Sequence, residues 1–172
     1  MNIKRWSISN VLILKKSKFK GFCIPIKSNL KIPELLKEIY KLDKNLEKAS
    51  HPTMYAWKTA NSENDLIEIK NNKGKKNELN LKNRILINKL SNLNQGFHDN
   101  HESGSGLRLM GLLDRLHLIN ILVVVTRWYG GTPLGPARFK CISDVGMESL
   151  ENGGYLKIKA NNKNWIDCSK IE

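Results

Sequence analysis

Apolar and polar positions divide this chain into short segments of distinct period. Near the start, "SNVLILKKSKFKGFCIPIKS" holds two apolar runs, residues 11–14 and 19–26, separated by the charged "KKSK". Both runs are rich in β-branched or aromatic side chains, so the pattern predicts two strands joined by a short turn. Pro25 ends the second strand or places it at a sheet edge. In "IPELLKEIYKLDKNLEKA" the period changes. Ile32, Leu35, Leu36, Ile39, Tyr40 and Leu42 fall on one helical stripe, with Pro33 suited to the first turn and Glu34 near the positive helix end. A helix is predicted there. "MYAWKTA", residues 54–60, then alternates as a short strand does.

Residues 61–95 are Asn- and Lys-rich, with a basic knot at residues 73–76. Leu79, Ile85, Leu86, Leu90 and Leu93 are compatible with an amphipathic helix over residues 79–93; a mobile insertion with a transient helix is the alternative. Beyond it, "GLRLMGLLDRLHL" predicts a second helix over about residues 105–118, striped by Leu109, Leu112, Leu113 and Leu116 and widened by Met110. Ser103 or Ser105 is placed to cap it. "INILVVVT", residues 119–126, is a nearly continuous apolar run and reads as a buried central strand. Residues 136–152 read as a third helix with Ala137, Cys141, Val145, Met147 and Leu150 inward, stopped by Gly153 and Gly154. "YLKIKA" after it suits a last short strand. The order predicts an α+β fold, one layer of sheet under one layer of helices.

The chain has 172 residues, 40% of them hydrophobic, which fits one domain. No apolar run approaches the roughly 20 residues that span a bilayer, and "MNIKRWSISN" lacks the apolar stretch of a signal peptide. A soluble protein is expected. Cys23, Cys141 and Cys168 lie far apart with no C-x-x-C pair, which favours a reducing compartment, and Cys23 and Cys141 sit in apolar patterns as core residues do. The net charge of +13 favours nucleic acid, ribosomes or acidic proteins as partners. Its excess is nearly all Lys, however, arriving with abundant Asn and Ile as AT-rich coding also produces, while Arg is scarce.

Candidate chemistry is sparse. "WYGGTPLGP" lies between a predicted strand and a helix, where free N–H groups and the helix dipole often bind anions. It lacks the G-x-x-x-x-G-K-[ST] of a P-loop and the G-x-G-x-x-G of a dinucleotide site. "HDNHE", residues 98–102, has metal-ligand residue types, but Gly96 and Gly104 bracket it as a loop and no third ligand group is evident. Ser143 and Asp144 have no local His, so no triad is recognisable. Neither a catalytic residue, a cofactor nor a metal is predicted.

Four ordered blocks nevertheless form a familiar set. "LVVVTRWYGGTPLGPARFKCISDVGMESL" resembles the signature of the Impact family, also called the YigZ family. "LKKSKFKGFCIPI" is similar to that family's opening hairpin, "KASHPTMYAW" to its A-[ST]-H-x-x-[YW]-A segment, and "DNHESGSGLRLMGLLD" to its acidic helix entry. His101 stands where the family usually has Gly. The match covers most of residues 9–153, with residues 61–95 divergent. It divides the chain into an Impact-like domain at 1–160, carrying an insertion at 61–95, and a C-terminal tail at 161–172. Family members from eukaryotes carry an N-terminal RWD domain, which this chain is expected to lack.

The resemblance implies a mixed four-stranded sheet with two main helices on one face, similar to the second domain of ribosomal protein S five. It also implies a cytoplasmic protein, with the nucleus as a further location. The implied role is regulation of translation in amino-acid starvation, by competing for the ribosome-associated activator of the initiation factor two alpha kinase. Direct RNA or ribosome binding is the alternative; a small hydrolase-like enzyme using Glu102, His51 and Arg127 ranks below it. Arg127, Trp128, Tyr129 and Arg138 are candidates for a partner-facing patch, since aromatic and Arg side chains dominate binding hot spots. Gly130, Gly131, Leu134, Gly135 and Pro136 form the structural loop, and His51 and Glu102 are the polar residues of the motif. The competing reading of these positions is structural: Arg127 paired to Glu102, the glycines serving backbone turns and Trp128 packed on the loop.

Overall fold

The computed structural model describes residues 5–61, 85–161 and 163–171. Its main sheet is built from β1 (Ser7–Ile8), β2 (Leu12–Leu14), β3 (Ser17–Pro25), β4 (His51–Asn61), β6 (Ser91–His98) and β8 (Ile121–Trp128). The order is β1-β3-β8-β4-β6, with β2 also pairing β3, and every pairing is antiparallel. A second, three-stranded sheet joins β5 (Leu86–Ile87), β9 (Trp165–Asp167) and β7 (Leu118–Ile119), with β7 and β9 parallel. The main sheet thus has six strands, all antiparallel, where a mixed four-stranded sheet was expected; the short strands β1 and β2 add to the four longer ones, β3, β4, β6 and β8.

Three helices cover this sheet on both faces. α2 (Ser105–Leu116) and α3 (Ala137–Asn152) lie together on one side. There Leu109, Leu112, Leu113, Ile142 and Val145 pack on Phe19, Cys23, Met54, Ala56, Val123 and Val125. α1 (Ile32–Leu42) covers the other side, where Ile32 and Ile39 pack with Phe22, Ile24, Trp57, Leu122 and Val124. The expected single helical layer is therefore two. The run of valines in β8 explains it: a strand apolar at every position needs cover on both faces, whereas a half-exposed strand alternates. Among the described residues no helix is long and apolar enough to cross a membrane.

The predicted strands and helices near residues 11–60 appear as β2, β3, α1 and β4. Residues 86–98 differ from expectation. The sequence is compatible with an amphipathic helix up to residue 93 or with a mobile insertion up to residue 95; residues 86–87 and 91–98 instead form β5 and β6, and β6 pairs with β4 from Tyr55 opposite His98 to Asn61 opposite Ser91. Hydrogen bonding along an open edge of β4 overrides the weak helical spacing of the leucines. The earlier part of the expected helix, residues 79–84, lies outside the described residues.

The segment "YLKIKA" holds no strand; the last strand is β9, a few residues later. Its Ile166 and Cys168 nearby are buried in the core beneath α2 and α3. Asn120 explains the anchoring. It interrupts the predicted strand 119–126 with φ of 58°, separating β7 from β8. Its buried side chain accepts from Ala60 N–H at 3.0 Å and donates to Asp167 at 2.8 Å, tying the chain's end to β4.

Candidate functional site

The end of β8 places two neighbouring motif residues on opposite faces of the sheet, because side chains along a strand alternate. Arg127 pairs in register with Phe19 on β3 and His51 on β4, and points to the α2–α3 side. Trp128 pairs with Lys18 and points to the α1 side.

On the α2–α3 side the centre is Glu102, only 3% exposed. Its Oε2 accepts from Arg127 Nη1 at 2.7 Å and lies 3.1 Å from His51 Nε2; its Oε1 lies 3.1 Å from Arg138 Nη1. His51 Nδ1 is held 2.9 Å from the carbonyl of Asn100. Arg127 also stacks its guanidinium near the rings of Phe19 and Tyr129, and Arg138 over Phe139. Three motif residues, from β4, β8 and α3, thus converge on the one carboxylate of the turn before α2. A buried carboxylate is tolerable only when so paired.

That turn is organised by Asp99 and Asn100, which the sequence offers only as polar members of "HDNHE". Asp99 accepts the N–H groups of Gly104 at 3.2 Å and Gly106 at 2.8 Å, so it, and neither Ser103 nor Ser105, caps α2. Asn100 accepts from Thr53 N–H at 3.0 Å, pinning the turn to β4. The remaining "HDNHE" residues diverge: His98 stacks on Tyr55, and His101 is exposed at φ of 65°. The left-handed backbone at His101 is one that glycine adopts without strain.

The glycine loop is a packed turn. A Cβ on Gly130 would lie 2.2 Å from the backbone of Lys16, and Gly130 N–H donates to Ser17 Oγ at 3.1 Å. Gly131 and Gly135 have φ of 94° and 56°. Leu134 packs against the core edge, and Pro136 precedes the first turn of α3.

The four residues proposed as a partner-facing patch are therefore distributed unequally. Arg127 is buried at 4% exposure and faces Glu102, so it presents nothing to a partner. Arg138 is partly exposed beside it, and Tyr129 stands half in solvent. Trp128 is partly buried, its indole N–H donating to the carbonyl of Asn45 at 2.9 Å. Trp128 and Tyr129 also line a groove of about 660 Å³ on the α1 side with Val11, Ile13, Lys16, Lys18, Lys20 and Lys48. The signal for this groove was present in the sequence as lysines at alternate positions 16, 18 and 20. It was legible only once the strand's pairing with Trp128 was known.

The fold and this convergence of three motif residues on Glu102 define an α+β domain that carries a buried ion cluster. The chain belongs to the Impact N-terminal domain family, whose model matches residues 15–150. It is 44% identical over 161 residues to the IMPACT family member YDL177C of Saccharomyces cerevisiae, covering 90% of this chain and 95% of that protein. It is 26% identical over 150 residues to the Protein IMPACT homolog of the same yeast, and there spans 47% of the relative's length. The crystal structure of a hypothetical protein shares the fold, with a TM-score of 0.55 at 17% identity over 85% of this chain and 60% of that one.

Proposed function

We propose that this protein is a regulatory binding protein of translation control. In this reading it acts in the cytoplasm during amino-acid starvation, competing for the ribosome-associated activator of the initiation factor two alpha kinase. Membership of the Impact family supports the assignment. One structural observation carries it: the polar residues of the motif are consumed by one another. Glu102 has both oxygens occupied by cations and is buried, so it is not poised as a solvent-facing acid or base. What the motif leaves outward is a rigid turn with Tyr129 half-exposed and Arg138 at its margin, the residue types that anchor protein interfaces.

The test is a competition assay with purified activator and kinase fragments. The chain is expected to displace the kinase fragment and to lower phosphorylation of initiation factor two alpha in starved cells that overexpress it. Tyr129→Ala combined with Arg138→Gln should weaken displacement about tenfold or more, the scale of an interface hot spot. Absence of displacement by the folded wild-type chain, with phosphorylation unchanged, overturns the reading.

A further inference from the structure

We infer that the groove on the α1 side of the sheet binds single-stranded RNA. The groove contains four lysines, Lys16, Lys18, Lys20 and Lys48, against one acid, Asp43. Asp43 is held by Lys20 at 2.8 Å. Lys16, Lys18 and Lys48 are exposed and have no ion-pair partner among the described residues. Three unneutralised ammonium groups in one concave surface call for a polyanion.

The arrangement of the apolar members selects its chemistry. Register places Ile13, Lys18 and Trp128 in one row across β2, β3 and β8, so a cation stands between an aliphatic and an aromatic side chain. Tyr129 is 49%, Ile13 62% and Val11 46% exposed, an uncommon concentration of apolar side chains in solvent. The indole of Trp128 is fixed by its bond to Asn45, and Asn45 itself lines the groove as a hydrogen-bonding group. Lysines beside the exposed ring of Tyr129 and the partly exposed indole of Trp128 match a backbone of phosphates with unstacked bases. An acidic peptide would use the lysines and leave the aromatic faces without a counterpart. Lys rather than Arg also suits point contacts to phosphate with no sequence readout. A paired duplex has its bases stacked inside and offers none to Tyr129. The choice of RNA over DNA rests on the translation-control reading; the groove's fit to a single strand does not.

The experiment uses the purified chain alone, so its outcome is independent of any activator. A fluorescein-labelled oligouridylate is titrated by anisotropy across a salt series, with the matching oligothymidylate and polyglutamate as competitors. RNA binding is expected with a log–log salt slope of roughly −2, from about −0.7 for each of the three lysine–phosphate contacts. Lys16→Glu/Lys18→Glu/Lys48→Glu, checked for folding by circular dichroism, should bind about tenfold or more weakly with a flattened slope. Lys18→Gln/Lys48→Gln serves if that variant does not fold, with a smaller loss in the same direction. Tyr129→Ala should weaken binding several-fold with the slope unchanged, because stacking releases no counterions. The proposal is overturned by no RNA binding, or by lysine variants that are folded and bind like wild type. It is equally overturned if polyglutamate displaces the RNA better than RNA itself does, whereas equal displacement by the oligothymidylate overturns the choice of RNA and upholds the single-strand groove.

Discussion

Arg127 Nη1 lies 2.7 Å from Glu102 Oε2, both residues buried, and these two motif residues hold the end of β8 to the turn before α2. Removing one partner of a buried pair leaves the other charged and desolvated. Glu102→Ala should therefore cost about 3–5 kcal/mol, because it abandons the buried Arg127 while also releasing Arg138 and His51. Arg127→Glu should do comparable harm, placing a second carboxylate against the first. Urea unfolding of both variants measures this. Stability within about 0.5 kcal/mol of wild type would show that the pair is not a structural tie.

A different tie fixes the chain's end. Asn120 bonds both Ala60 N–H and Asp167, all three buried. Asn120→Ala leaves a buried N–H and a buried carboxylate without these partners, at about 1–3 kcal/mol each. The loss should be local first: amide exchange in β9 should accelerate more than in β3. Uniform acceleration across both strands would mean that β9 unfolds only with the whole domain.

His101 offers a gain. At φ of 65° a side chain with a Cβ costs roughly 1–2 kcal/mol, against about 0.5–1 kcal/mol of extra unfolded-state entropy for glycine. His101 is exposed and makes no contact needed by the Glu102 cluster. His101→Gly should raise stability by about 0.5–1 kcal/mol, a rise of roughly 1–4 °C in Tm. A lower Tm would reveal an interaction of the imidazole that offsets its strain.

Much of this fold was legible because local signals agreed with tertiary demand. The stripe of α1 and the apolar run of β8 each have one physical solution, and Arg127 with Glu102 was open to a structural reading from the motif itself. Two things were not legible. A continuous apolar run announces burial, but not that a separate helix covers each face, so α1 fell on the unexpected side. And β6, with the mostly exposed sequence "SNLNQGFH", carries little strand propensity; its structure comes from the free hydrogen bonds of β4. At the site, sequence places Arg127 and Trp128 side by side. Only the strand's alternation separates them, one locked inside an ion cluster and the other beside a lysine groove.

The cysteines set an alkaline limit. Burial pushes the Cys23 thiol from an ordinary 9.0 up to about 12, opposed only partly by the side chains of Ser149 and Ser7. Burial likewise raises Cys168 well above the usual thiol range, and raises Cys141 with help from Asp144. A thiol whose pKa is higher in the folded state stabilises that state fully below the unfolded value. As pH climbs past about 9 the unfolded chain ionises and the folded chain does not, so stability falls until the folded pKa is reached. Urea midpoints should thus drop between about pH 9 and pH 12, and Cys23→Ala should drop less steeply than wild type. At neutral pH the same burial keeps the thiols protonated and shielded. Iodoacetamide should leave all three cysteines of the native protein unmodified and alkylate all three in urea. Rapid alkylation of Cys23 in the native state would mean that β3 and α3 separate readily under native conditions.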